Sequence, residues 1–168
     1  MPLYIDRLPL YRWHDPTHPL AQDYWFVVVT ALVTERGLPG PHANAVPQEW
    51  LLDTGNSGEA FAWRHHLTAA GLNPDTNRAR GQMRIKSGIG KEILAPIRDA
   101  DLWLLSNLPT FQNSPLRLSL GYGIPFRDVP ALPDPQFQRP LIGLRALRRA
   151  NLRIEIDFSG DRLSVWTP

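Results

Sequence analysis

The sequence has no cysteine, no long apolar run and no recognisable leader, and each absence argues against a class of protein. Without cysteine the chain forms no disulfide and has no thiolate chemistry, which fits a reducing compartment. Residues 1–10 lack a basic stretch followed by an apolar core, so we expect no signal peptide and a cytoplasmic location. The longest apolar run, residues 24–33, is far too short to cross a bilayer, so we expect no membrane partner.

Net charge is also nearly absent. Sixteen arginines and two lysines oppose sixteen acids and leave a net charge of +2, which gives little attraction for nucleic acid. The arginines at 145, 148, 149 and 153 could form a phosphate-binding face, but no aromatic residue lies among them to stack a base. Arg145, Arg148 and Arg149 instead indicate the exposed side of a short helix. We therefore predict no nucleic-acid partner.

Length and composition indicate one small domain. The chain has 168 residues, of which 43% are hydrophobic, enough for a single core. Seventeen prolines and twelve glycines predict many short segments and turns. Four prolines in residues 1–20 exclude a long helix there, so we predict an irregular N-terminal arm that packs on the body or on a partner. Residues 21–168 then form the domain.

The remaining pattern predicts a mostly β protein. Two stretches have helical spacing, residues 62–70 and 143–150. We expect a small closed barrel-like sheet. The predicted strands and hairpin are residues 22–34, 50–53, 82–97 (a hairpin around two glycines), 101–106, 116–120, 123–129, 152–158 and 163–166.

Asp53-Thr54-Gly55 is the most informative motif in the chain. It follows Trp50-Leu51-Leu52, which reads as a strand, so an acid stands at the end of a buried segment. Such a carboxylate is costly to bury unless another group shares its proton or hydrogen-bonds it. Thr54 offers a hydroxyl, and Gly55 allows close approach of backbone. The motif predicts either catalysis or an ordinary turn.

A second element far downstream supports catalysis. Leu141-Ile142-Gly143 precedes the predicted second helix, and a strand ending in Asp157-Phe158 and a last strand at 163–166 follow. With Leu51-Leu52-Asp53-Thr54-Gly55, this order resembles the retropepsin-like aspartic proteases, particularly the single-domain bacterial type. The resemblance covers residues 22–167, and its two ends are the specific parts.

The resemblance implies a role for each motif residue. Asp53 would be the catalytic acid, Thr54 would hydrogen-bond across a dimer, and Gly55 would approach the substrate backbone. Many family members have Ala or Ser where this chain has Asn56. The other implied site residues are Asn56 in the substrate groove, Ser87, Gly88, Ile89 and Gly90 at the tip of a flap, and Leu141, Ile142 and Gly143 as support behind the loop.

One acid loop per chain predicts a homodimer. Hydrolysis by this chemistry needs two carboxylates facing one water, so two copies must each supply Asp53. The substrate is then a peptide or protein, with no cofactor and no metal. We expect the N-terminal arm and Leu163–Trp166 to add strands at the dimer interface. The alternatives are a non-catalytic peptide-binding module and a purely dimeric interaction module of the same fold.

Two other constellations are weaker. His14 and His18 have a spacing that metals use on a helix, but Pro16 makes a helix there unfavourable. Ser57 lies between glycines, but its surroundings do not match the G-x-S-x-G pattern of a nucleophile elbow.

Overall fold

The computed structural model describes residues 1–14, 23–53, 58–76, 78–86, 92–128 and 139–168. Strands dominate the described residues and the helices are few and short, so the predicted mostly β class is confirmed. The strands of the described residues are β1 (Leu3–Pro9), β2 (Tyr11–His14), β3 (Asp23–Phe26), β4 (Val28–Glu35), β5 (Gln48–Asp53), β6 (Ala60–Trp63), β7 (Arg78–Lys86), β8 (Glu92–Arg98), β9 (Ala100–Leu104), β10 (Leu116–Leu118), β11 (Ile124–Arg127), β12 (Leu141–Gly143), β13 (Arg153–Asp157) and β14 (Arg162–Trp166). The helices are α1 (Arg64–Ala69), α2 (Leu144–Arg149) and a short 3-10 turn at Pro109–Phe111.

Nine of these strands form one sheet with β5 near its centre. The order is β10-β9-β4-β5-β12-β6-β11-β8-β7, with β4 antiparallel and β12 parallel to β5. The end strands β10 and β7 are not neighbours, so the expected closed barrel is not found in the described part of the chain. The β-prone run in β4 is buried on most positions because it lies between β5 and β9.

A three-stranded sheet, β1-β14-β13, contains both ends of the chain. The predicted irregular arm is therefore wrong: β1 pairs antiparallel with β14, and β2 pairs antiparallel with β3. The expectation that Leu163–Trp166 adds a strand to a partner is also wrong, because β14 is paired on both sides within its own chain. Backbone pairing explains both errors, since the prolines of the arm exclude a helix but leave extended strands available.

The predicted strand 22–34 is interrupted at Val27. The chain leaves the two-stranded sheet β2-β3 and enters the nine-stranded sheet at this residue. The Val27 carbonyl accepts a hydrogen bond from the Leu52 N–H at 2.9 Å, which connects the interruption to β5.

The first helix begins two residues later than predicted, while the second agrees with its prediction. Ala62 and Trp63 belong to β6, which pairs antiparallel with β12 and parallel with β11. Strand pairing on both sides of β6 outweighs the helical spacing of these residues. The helix therefore starts at Arg64.

Tyr4 fastens β1 to the large sheet. Its ring is buried, and its hydroxyl donates to the Leu104 carbonyl at 2.7 Å and accepts from the Leu116 N–H at 2.9 Å. Burial raises the pKa of Tyr4 to about 12, partly offset by the Leu116 bond. The same core cluster contains Ile5 and Val165, so the two sheets share one hydrophobic core.

Replacing Tyr4 with Phe should lower the free energy of unfolding by about 1–3 kcal/mol, because two buried backbone groups lose their partner. Urea unfolding measures the change. Tyr122→Phe is the matched control, since Tyr122 is 54% exposed. Equal effects of the two variants would show that β1 is not fastened through this hydroxyl.

His66 connects the start of α1 to β5. Its Nδ1 accepts a hydrogen bond from the Trp63 N–H at 3.4 Å, and its carbonyl accepts one from Gln48 Nε2 at 2.8 Å. Burial, together with the smaller effect of the neighbouring His65 charge, lowers the pKa of His66 to about 4. The neutral imidazole is therefore the form that fits the folded state, because only that form accepts a bond at Nδ1.

Acidification should weaken the fold through His66. The unfolded chain binds this proton near the ordinary pKa of 6.5, while the folded chain binds it only near 4. The free energy of unfolding should therefore fall as the pH drops from the first of these values to the second. His66→Gln should flatten this part of the stability profile, whereas His42→Gln, at an exposed loop position, should leave it unchanged. Parallel profiles of wild type and His66→Gln would contradict the assignment.

Candidate active site

The strand β5 delivers Asp53 to the middle of the large sheet. Trp50 and Leu52 are buried along it, while Asp53, its last residue, is half-buried. The prediction that a strand over Trp50-Leu51-Leu52 ends in the acid is confirmed. This position holds the Asp53 backbone in the sheet.

The strand β12 brings the second motif beside the first. In the parallel pairing Leu141 lies opposite Leu51, Ile142 opposite Leu52, and Gly143 opposite Asp53. Gly143 is also the residue that precedes α2. The two motifs are far apart in sequence but aligned residue by residue in the sheet.

The chain that returns from the acid loop is fastened to the same junction. The Glu59 carbonyl accepts from the Gly143 N–H at 2.9 Å, and the Gly58 carbonyl accepts from the Arg145 N–H at 3.1 Å. The described residues on either side of 54–57 are thus paired with β12 or bonded to the first turn of α2. Thr54, Gly55, Asn56 and Ser57 themselves lie outside the described residues, so their predicted roles stay predictions.

Glu59 is a site residue that sequence reasoning missed. Its side chain is buried, and its two oxygens accept from Arg149 Nη1 at 2.8 Å and from the Tyr122 N–H at 3.0 Å. Gly121 makes room for this arginine, since a Cβ there would lie 2.1 Å from Arg149 Nη1. The available signal was an acid directly before the apolar run Ala60–Ala62. Arg149 lies on the exposed side of its helix as the sequence predicts, with 49% of its side chain exposed, but its buried partner is too far away in sequence to recognise.

The predicted hairpin forms, with β7 and β8 as its two strands. Their antiparallel pairing includes Met83 opposite Ala95 and Ile85 opposite Ile93. Leu94 is 57% exposed on the same hairpin, whereas Ala95 is buried against the body. The tip residues Ser87, Gly88, Ile89 and Gly90 lie outside the described residues, so the flap stays a prediction.

Neither a metal-binding cluster nor a membrane-spanning helix is found in the described part of the chain. No group of three or more His, Asp or Glu side chains with metal-binding geometry occurs among them. His14 is exposed at the end of β2, and His18 lies outside the described residues. Within the same part of the chain, no helix combines the length and the apolar character that crossing a bilayer requires.

Comparison with known proteins gives no assignment. No family model matches the chain, and no curated protein matches it significantly. The basis for a function is therefore the arrangement of Asp53, Gly143 and the hydrogen bonds of Gly58 and Glu59.

Loss of the Arg149 guanidinium should lower the free energy of unfolding, because the buried Glu59 loses a partner. Arg149→Ala leaves the Glu59 carboxylate buried with only the Tyr122 N–H, at a cost of about 1–3 kcal/mol. Arg148→Ala, one residue away and exposed, should cost about 0.5 kcal/mol or less. Thermal or urea unfolding of the two variants tests this. A larger loss for Arg148→Ala would contradict the role of the pair.

Proposed function

We propose that the protein is an aspartic endopeptidase with a retropepsin-like fold that works as a homodimer. The observation that carries the proposal is the parallel pairing of Asp53 with Gly143. It joins an acid at a strand end to an apolar-apolar-Gly element that opens a helix, which are the two specific parts of the family resemblance. The chain is held on both sides of the acid loop, as a preorganised site requires.

The mechanism uses one Asp53 from each copy. The two carboxylates share one proton, because two carboxyl groups that face one water are too close together for both to be ionised. The ionised carboxylate removes a proton from a bound water, and the protonated one hydrogen-bonds the scissile carbonyl. The water oxygen then attacks the carbonyl carbon, and proton transfer to the amide nitrogen releases the amine.

Substrate recognition would come from the hairpin β7–β8. Its strand β7 is at the end of the nine-stranded sheet, with β8 as its one neighbour in the strand order of the described residues. An extended peptide that lies beneath the tip would be recognised through its backbone, and closing of the tip would exclude water. The exposed Leu94 offers apolar surface on this hairpin.

Replacing Asp53 with Asn should lower peptide hydrolysis by about 100-fold or more while the dimer and fold persist, because the amide is nearly isosteric and cannot act as a base. Wild-type cleavage should be favoured at acidic to mildly acidic pH, since a rising pH removes the shared proton. Cleavage of an unbiased peptide library, followed by mass spectrometry across pH, measures both effects. Asp128→Asn, at an 80% exposed carboxylate, is the control that should retain activity.

Mixing tests whether the acid pair is shared. When equal amounts of wild type and Asp53→Asn exchange subunits, only about a quarter of the dimers carry two acids, so activity per wild-type chain should fall by about half. Unchanged activity per wild-type chain would refute a shared pair. A well-formed dimer that cleaves nothing at any pH would favour the non-catalytic peptide-binding module instead.

A further inference from the structure

The two edges of the sheet β1-β14-β13 differ in how they are protected. At the β1 edge, the side-chain amide of Asn107 replaces a neighbouring strand: its Oδ1 accepts from the Asp6 N–H at 2.9 Å, and its Nδ2 donates to the Asp6 carbonyl at 2.7 Å. The Ser106 hydroxyl donates to the Tyr4 carbonyl next to it. The strand is also irregular, with Arg7 at a φ of 46° and two register shifts. These features block pairing with another strand.

The β13 edge has none of this protection. All five residues of β13 pair with β14 in unbroken register, from Arg153 opposite Trp166 to Asp157 opposite Arg162. In the described part of the chain no strand and no side chain bonds to the other edge of β13. A regular strand with one free edge is a template for another strand.

The side chains of β13 restrict which strand is accepted. Ile154 and Ile156 are half-buried against the core, while Arg153, Glu155 and Asp157 are exposed on the opposite face. Asp157 is occupied within its own turn, where it accepts bonds from Ser159 and Gly160. Arg153 and Glu155 put one charge of each sign on the exposed face; they form an ion pair 3.3 Å apart, and Arg153 also lies 4.9 Å from the centre of the Trp166 ring.

We propose that β13 pairs antiparallel with β13 of a second copy across a two-fold axis, which joins the two three-stranded sheets into one of six strands. The proposal deepens the homodimer and rests on that proposed function. A two-fold axis at Ile154 places Arg153 opposite the partner's Glu155, and Glu155 opposite the partner's Arg153. On the other face Ile154 meets the partner's Ile154, and Leu152 meets the partner's Ile156.

The side-chain charges and the alternation of side chains between the two faces favour this register over shifted registers. An axis at Glu155 would place the two Glu155 carboxylates opposite each other, and directly opposed like charges destabilise a pair of strands. A slip of one residue would place charged side chains opposite isoleucines on the core face. The free edge therefore fits a second copy of this chain best. Phe158, 73% exposed just after β13, adds apolar surface at this edge.

Two complementary charge reversals test the register. In the Arg153→Glu homodimer the introduced carboxylate would face the partner's Glu155 at two places, and in the Glu155→Arg homodimer the introduced guanidinium would face the partner's Arg153 at two places. Each variant alone should dimerise at least about tenfold more weakly than wild type. An equal mixture should restore dimers, because opposite charges meet in both cross-strand pairs of the heterodimer.

The two-fold axis determines which side chains meet in the heterodimer. In the heterodimer of the two variants, one cross-strand pair joins the two introduced side chains, which have opposite charges. The other pair joins the unchanged Glu155 of the first variant to the unchanged Arg153 of the second, which are also of opposite charge. Sedimentation velocity measures the dissociation constants, and native mass spectrometry identifies the heterodimer.

The control is Arg148→Glu, an exposed reversal on α2 that should leave dimerisation unchanged. Single reversals that dimerise as tightly as wild type would overturn the proposal, as would weak variants that do not recover on mixing, or a wild type that stays monomeric. Recovery on mixing without peptide cleavage would support the β13 interface and refute the endopeptidase. If cleavage depends on Asp53 but dimerisation is insensitive to the charge reversals, the endopeptidase is supported and the β13 interface is refuted.

Discussion

The parallel pairing of β5 with β12 is the constraint on which the candidate site depends. Parallel neighbours cannot be joined by a tight turn, so the chain must make a long excursion between them. Here that excursion contains β6 to β11, including the hairpin that would cover a substrate. The pairing places Asp53 opposite Gly143 and lets the returning segment at Gly58 and Glu59 bond to the same junction. One set of backbone contacts therefore positions Asp53, Gly143 and the returning residues Gly58 and Glu59.

Two arginines complement this backbone frame. Arg98 is fully buried, pairs with Glu35, and donates to the Asn73 carbonyl at 2.9 Å. Arg149 plays a similar part for the buried Glu59. A planar guanidinium with five donors satisfies several acceptors at once, which a lysine ammonium does not do in fixed geometry. This offers a structural reason for a basic composition that is almost entirely arginine.

The chain ends show how the same sequence features permit two interpretations. Apolar residues among prolines in the arm indicated a segment that packs on something, and this holds for Tyr4 and Ile5. That the surface they cover belongs to their own chain, and that β14 lies at the centre of its sheet, is decided by strand order. Strand order depends on pairings between the two ends of the chain, and the local sequence does not indicate these pairings.

The sequence by itself determined the class of the protein, the strand that ends in Asp53, the hairpin β7–β8 and the second helix, because these follow from local periodicity and composition. Only the tertiary structure decided that Gly143 lies beside Asp53, that Glu59 is buried against Arg149, and that Ala62 and Trp63 end a strand where helical spacing predicted the start of a helix. These outcomes depend on partners distant in sequence, and burial or strand pairing there outweighs the local preference of each residue.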